Sequence, residues 1–195
     1  DKKHGWGRIK YLDGGVYDGE WKDNKKDGNG TYKHPNGNIY IGEWREDKKR
    51  GKGKLTHVDG SVYDGDFKDD RKNGWGICTY KNMAVYEGEW VNDRKEGRGN
   101  LHYPDGDVYE GSWKDDKKNG GGLYKYANGA VYGGEWRNDM KTGKGTLQYP
   151  SGKVDQGEWE DDEFLRFAQI DDPYFVTEVA KSGIDMHALR IMHRT

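Results

Sequence analysis

The sequence is poor in aliphatic residues and in cysteine. Only 31% of its 195 residues are hydrophobic, whereas 35% are charged, and it contains a single cysteine. This composition argues against the layered core of an ordinary α/β enzyme, and one cysteine cannot form an internal disulfide. No apolar run approaches the roughly 18 residues of a membrane-spanning helix. A net charge of −2 provides no positive field, so we expect no nucleic-acid partner.

Aromatic residues and glycine, in contrast, are abundant and regularly placed. The chain has 8 Trp, 14 Tyr and 31 Gly. A large ring recurs every 23 residues, at Trp21, Trp44, Phe67, Trp90, Trp113, Trp136 and Trp159. Four residues before each ring stands a tyrosine, replaced only by Asp155, and two residues before it stands a glycine. A Gly-x-Gly follows seven residues after most rings, and such a period identifies a repeat protein.

Each unit predicts one antiparallel β-hairpin. In Val-Tyr-x-Gly-x-Trp the Tyr, Gly and Trp alternate and therefore share one face of a strand. After a polar loop such as residues 22–27, the second strand reads Gly-x-Gly-x-φ-x-Tyr, and a glycine closes the turn to the next unit. Met83 replaces that glycine in one unit, where we expect an irregular turn.

Hairpins joined edge to edge predict an all-β fold, an elongated single-layer twisted strip. Seven repeats with strands about 4.8 Å apart would extend on the order of 70 Å. We assign the repeat array to residues 1–163, with a truncated first repeat. Because the chain starts within a predicted loop, we expect it to be a fragment of a longer array.

Residues 164–195 predict a short helical tail. Glycine is scarce there, Asp172-Pro173 is typical of a helix start, and apolar residues follow at helical spacing. We expect the tail either to cap the open end of its own strip or to bind another copy. The residues assigned to this cap or dimer contact are Tyr132, Trp136, Trp159, Phe164, Leu165, Phe167, Phe175 and Leu189.

Tyr-x-Gly-x-Trp followed by Gly-x-Gly resembles the MORN family (membrane occupation and recognition nexus), over about residues 1–162. The resemblance implies a non-enzymatic scaffold that binds protein partners and forms homodimers through its C-terminal repeats. It also implies a cytoplasmic location, at the cytoskeleton, a cell-division structure or the cytoplasmic face of a membrane. The alternatives are the regulatory repeat region of a larger enzyme and a phospholipid-binding module.

The ring-bearing face is the expected partner site, because a single layer cannot bury both of its faces. Partly exposed Tyr and Trp are common anchors for protein partners, including extended or helical peptides. The residues assigned to this partner groove are Tyr40, Trp44, Tyr63, Phe67, Tyr86, Trp90, Tyr109 and Trp113.

The residues that carry chemistry lack catalytic or metal-binding spacing. Cys78 falls in an apolar column and is predicted to be buried, and no His-Glu-x-x-His or zinc pattern is present. A carboxylate recurs in most repeats on the face opposite the rings, where we expect a solvated surface. One lysine per repeat, in the predicted loop, either solvates that loop or tracks anionic headgroups. We therefore expect no catalytic residues, no metal and no cofactor.

Overall fold

The computed structural model describes residues 2–167, which form one open antiparallel sheet of 15 strands in sequence order. The all-β single-layer prediction is confirmed. Of the tail predicted at residues 164–195, residues 164–167 form a strand and not a helix, and residues 168–195 lie outside the described residues. Among residues 2–167 there is no helix long and apolar enough to cross a membrane. The strands are β1 (Gly5–Lys10), β2 (Val16–Lys22), β3 (Lys25–Lys33), β4 (Ile39–Arg45), β5 (Lys48–Thr56), β6 (Val62–Lys68), β7 (Arg71–Thr79), β8 (Val85–Val91), β9 (Arg94–His102), β10 (Val108–Lys114), β11 (Lys117–Lys125), β12 (Val131–Arg137), β13 (Met140–Gln148), β14 (Val154–Glu160) and β15 (Glu163–Phe167).

A row of glycines crosses the sheet from β1 to β14. Gly76 lies opposite Gly88, which lies opposite Gly99, and the same pairing continues in both directions to Gly7 and Gly157. Without side chains, this row forms a trough in the face that carries the repeated tyrosines and tryptophans, which we call the ring face. The opposite face is called the back face.

The tyrosine rings of the repeats lie in this trough. A Cβ added at Gly99 would come within 2.6 Å of the ring of Tyr86, so the phenol lies directly on the glycine backbone. The Tyr86 hydroxyl donates to the Glu89 carbonyl at 3.0 Å. The six repeat tyrosines that share this placement are 0% exposed: Tyr17, Tyr40, Tyr63, Tyr86, Tyr109 and Tyr132.

Each tyrosine packs edge-on against two large rings, which joins consecutive repeats. The Tyr86 ring centroid lies 5.2 Å from Trp90 of its own repeat and 5.3 Å from Trp113 of the next. The Trp90 indole N–H donates to the Gly76 carbonyl at 3.1 Å, as most repeat tryptophans do to the equivalent glycine. Phe67 occupies the same position without a donor. Repetition of these contacts builds one continuous aromatic core along the strip.

Two-residue turns form one long edge of the strip. Asp23 and Asn24 have φ of 49° and 72°, as a type I′ turn requires, and the predicted polar loop is therefore shorter than residues 22–27. The second turn residue also binds the preceding hairpin. The Asp93 N–H donates to the Lys72 carbonyl at 3.0 Å, and the Lys72 N–H donates to the Asp93 carboxylate at 2.9 Å. This reciprocal pair recurs along the edge, which we call the staple edge.

The carboxylate column of the back face is more than the solvated surface that the sequence predicts, because its members hold the bulged strands. Extra residues bulge each Gly-x-Gly strand, as between Gly88 and Trp90 in the β8–β9 pairing. The Glu89 carboxylate accepts the N–H of Arg98 within this bulge at 2.9 Å. Four of these carboxylates make the same contact, at Glu20, Glu43, Asp66 and Glu89.

Five-residue turns form the other long edge, which we call the glycine-turn edge. In most of them a glycine with positive φ occupies the fourth position. Met83 adopts the same conformation, with φ of 70°, and its N–H donates to the Tyr80 carbonyl at 2.8 Å as the glycines do. The expected irregular turn at Met83 is therefore wrong, because methionine is held in the left-handed region instead.

Candidate partner-binding surface

The rings assigned to the partner groove are core residues. Tyr40, Tyr63, Tyr86 and Tyr109 are 0% exposed, and the other four members of the set are at most 5% exposed. The expectation of partly exposed rings is corrected, because each ring lies on glycine and is covered by rings of the same and the next repeat. Those four are Trp44, Phe67, Trp90 and Trp113. Partner binding on the ring face stays a prediction, and a partner there would meet the groups that lie above these rings.

The lysine column covers the rings and does not solvate a loop. Lys95 is the second residue of β9, and its ammonium nitrogen lies 4.1 Å from the ring centroid of Trp113 and 5.5 Å from that of Tyr86. Such cation–π contacts stabilise by about 0.5–2 kcal/mol each. Burial lowers the pKa of Lys26, Lys49, Lys95 and Lys118. The lysines therefore join adjacent repeats.

The residues assigned to the cap or dimer contact divide into three groups. Tyr132, Trp136 and Trp159 are core residues with at most 5% exposure. Phe164, in β15, packs 5.1 Å from the ring of Trp159 and covers the last indole, whereas Leu165 is 55% exposed. Phe167 ends β15, and Phe175 and Leu189 lie outside the described residues. The repeat array was expected to end at residue 163. The β15 strand begins at that residue and extends the sheet by one strand.

Asp155, which replaces the last repeat tyrosine, is buried with partners. It is 5% exposed, accepts a hydrogen bond from the Tyr149 hydroxyl at 2.9 Å and forms a salt bridge with Lys153 at 3.0 Å. The carboxylate thereby holds Tyr149 and Lys153 over the end of the array. This arrangement fills the position that a phenol occupies elsewhere, and it offers no acid–base pair.

The thiol of Cys78 and the imidazole of His34 are also packed against neighbouring side chains. Cys78 is 4% exposed, which confirms its predicted burial, and burial raises the pKa of its thiol. His34 packs 4.4 Å from the Tyr32 ring, and burial lowers its pKa. Within residues 2–167, no group of three or more His, Cys, Asp or Glu side chains could hold a metal ion.

An open hollow lies on the ring face beside the glycine-turn edge. It has a volume of about 630 Å³ and lies between Tyr80 and Tyr103, with Leu101 and Ala84 at its floor. The tyrosines that line this edge are only partly buried, unlike those in the glycine trough. The members of this column, which we call the edge column, are Tyr11, His34, His57, Tyr80, Tyr103, Tyr126 and Tyr149. The sequence showed this column but gave no sign of the hollow.

The repeats also match a known family. The family model for the MORN repeat matches six successive stretches, residues 17–39, 40–62, 63–82, 86–108, 109–131 and 132–154. The chain belongs to the MORN repeat family. Each matched stretch covers one hairpin of the sheet and all or part of the turn that follows it, and the resemblance drawn from the sequence is confirmed.

Two solved structures that match over most of this MORN chain have low sequence identity to it. The SAS-4 (dCPAP) TCP domain of Drosophila melanogaster, solved with a proline-rich motif of Ana2, is 17% identical with a TM-score of 0.45, over 79% of this chain and 90% of that one. The TCP10 domain of Danio rerio CPAP is 13% identical with a TM-score of 0.40, over 80% and 88% of the two chains. The comparison with curated proteins gave no significant match.

Proposed function

We propose that this MORN chain is a non-enzymatic scaffold that binds protein partners along its strip and assembles with other copies of itself. The observation that supports the proposal most directly is that the positions recurring every 23 residues make contacts within and between repeats. Rings, glycines, lysines and turn aspartates all bind their own or the adjacent repeat. These recurring residues therefore stabilise a long strip, whose remaining surface is available to partners.

The surface left for partners consists of the glycine-turn edge, the part of the ring face beside it, and the back face. Large apolar side chains are exposed on the edge and on the back face, including Trp75 at 47%, Ile77 at 41% and Val58 at 75%. Fifteen strands at about 4.8 Å extend this surface to about 70 Å. A cytoskeletal or membrane-linked assembly, on the cytoplasmic side, is the location that we propose for such a scaffold.

A crosslinking experiment tests the proposed binding of partners. The full chain, carrying an affinity tag, is crosslinked in the source cells, and crosslinked peptides are assigned by mass spectrometry. We expect one or a few proteins crosslinked repeatedly to the glycine-turn edge or the back face. Crosslinks spread evenly over the surface, or a measurable turnover of a substrate by the purified chain, would contradict the proposal.

Light scattering tests the proposed self-association. The full chain is compared with a variant that ends at Phe167, which keeps β15 and its cover over Trp159. We expect a dimer mass for the full chain and a monomer mass for the variant, with an unchanged melting temperature. A monomer in both cases would remove self-association from the proposal, and a lower melting temperature would instead assign residues 168–195 to a cap.

The lysine column gives little support to a phospholipid-binding module. Its ammonium groups lie over rings, and Lys141, for example, is only 14% exposed. Headgroups would have to compete with these aromatic contacts and with the adjacent turn aspartates. Sedimentation with vesicles of anionic lipid that falls steeply with added salt would revive this alternative.

A further inference from the structure

We propose that the glycine-turn edge from Tyr80 to Tyr149 is a binding site for a proline-rich peptide that carries basic residues. This inference rests on the proposed function and names the chemistry of a partner. It is based on the edge column, the hollow and the charges beside that hollow.

The spacing of the tyrosines fits one type of peptide conformation. Consecutive members of the edge column are two strands apart, which is about 9.6 Å. A polyproline II helix advances about 3.1 Å per residue and has three residues per turn, so one face recurs about every 9.3 Å. A peptide in this conformation that crosses the strands at the edge would present the same face to each tyrosine in turn. An α-helix returns to the same face after about 5.4 Å or, over two turns, about 10.8 Å, and fits this spacing less closely.

The proposed site lies in the C-terminal half of the edge column, because only that half consists entirely of tyrosines. Tyr80, Tyr103, Tyr126 and Tyr149 form an unbroken run, whereas the N-terminal half is interrupted by two histidines. Flat, partly exposed tyrosine rings are the surfaces on which proline rings pack in aromatic-lined grooves. The hollow between Tyr80 and Tyr103 provides a recess of about 630 Å³ with an apolar floor.

Asp59 and Lys81 line the hollow and Asp105 lies on the following turn, so two acids and one base stand beside the expected peptide. Asp59 and Asp105, on the two turns that flank that of Tyr80, are exposed, and they accept hydrogen bonds from N–H or hydroxyl groups of their own turns. Neither carboxylate forms a salt bridge within residues 2–167. Lys81 is the one basic residue among those that line the hollow. Asp59 and Asp105 lie two repeats apart, about 19 Å, so they would hold an arginine or lysine at every second turn of the peptide.

Labelled synthetic peptides and fluorescence anisotropy test the site on the full chain. The probe contains four Pro-Pro-Arg triplets. One control contains four Gly-Gly-Arg triplets, which keep the charge without the conformation, and another contains four Pro-Pro-Glu triplets. We expect saturable binding of the probe with a Kd below about 1 mM, and binding of each control weaker by at least about tenfold. Equal binding of the Gly-Gly-Arg control would overturn the proposal.

Two variants locate the binding on the strip. Tyr103→Ala should weaken binding of the probe by about tenfold or more, whereas the matched control Tyr11→Ala, at the N-terminal end of the same column, should leave it within about twofold. If Tyr103→Ala does not fold, Asp59→Lys with Asp105→Lys decides, since both positions are exposed and their reversal should weaken the probe as well. Equal losses for Tyr11→Ala and Tyr103→Ala would overturn the location.

The outcome also separates this inference from the function on which it rests. If the probe fails to bind while the crosslinking experiment recovers a specific partner, the proline-rich site is wrong and the scaffold remains. If neither the probe nor any partner binds, the proposed function is contradicted as well.

Discussion

The two faces of the sheet are made by the same strands and the same hairpins, yet their side chains have different freedom. On the ring face, the repeat tyrosines are 0% exposed and lie on a continuous glycine row. On the back face, tryptophan at Trp75, arginine at Arg98 and glycine at Gly121 occupy equivalent positions of successive repeats. One face thus has a fixed set of interlocking shapes, and the other accepts many residue types.

Alkaline pH should have the largest effect of the changes considered, because it destabilises the ring face, where the buried phenols lie. Burial raises the pKa of Tyr17, Tyr40, Tyr63, Tyr86, Tyr109 and Tyr132 above the ordinary value of about 10. The folded protein retains these protons while the unfolded chain releases them, so stability is lost as the pH rises above about 10. Each tyrosine contributes up to about 1.4 kcal/mol per pH unit.

The lysines with a lowered pKa act in the opposite direction. The unfolded chain keeps their protons up to about pH 10.5 while the folded chain releases them earlier, so they add stability as the pH rises towards that value. Thermal melting followed by far-ultraviolet circular dichroism should therefore show a steep loss only above about pH 10. A melting temperature that stays constant to pH 12 would contradict the burial of the phenols.

Two tryptophans on opposite faces give a matched pair. Trp90→Ala removes a ring that is 3% exposed, together with its hydrogen bond to Gly76, and should cost about 3–5 kcal/mol. Trp75→Ala removes a ring that is 47% exposed and should cost less than about 1 kcal/mol. Urea unfolding measures both free energies. Similar costs would show that the back face is packed in solution.

Substitution of one glycine on each face compares the two faces without removing any existing contact. A Cβ at Gly99 would lie 2.6 Å from the Tyr86 ring, so Gly99→Ala should cost about 2–3 kcal/mol by forcing the ring out of the trough. Gly121, on the back face, has nothing within 4 Å of an added Cβ, and Gly121→Ala should stay within about 0.5 kcal/mol. Urea unfolding midpoints compare the two variants, and a neutral Gly99→Ala would refute the fit of ring to backbone.

Met83 provides the smallest effect, at the glycine-turn edge. Met83→Gly should stabilise the protein by about 1 kcal/mol, because methionine has a φ of 70° and its side chain is 71% exposed. Met83→Ala keeps the strained conformation and serves as the control. A rise in melting temperature for both variants would assign the gain to the lost side chain instead of the backbone.

The period of 23 residues was enough to predict the hairpins, their order and the face on which each ring lies. It could not predict exposure, because burial of Tyr86 depends on how the phenol tilts onto Gly99 and on the cover that Lys95 provides. The sequence also predicted the lysine column to lie in a loop, because the length of the turn is not visible in the repeat pattern. A type I′ turn of two residues extends the next strand back to Lys25, and this brings Lys26 over the rings.

The aspartate pairs of the staple edge reach only the hairpin immediately before them, as Asp93 reaches Lys72. A whole hairpin can therefore be inserted or removed while every remaining hairpin keeps neighbours of the same kind. Each such change alters the length of the protein by about 10 Å. The number of hairpins therefore sets the distance between two molecules bound to the strip, in steps of one hairpin.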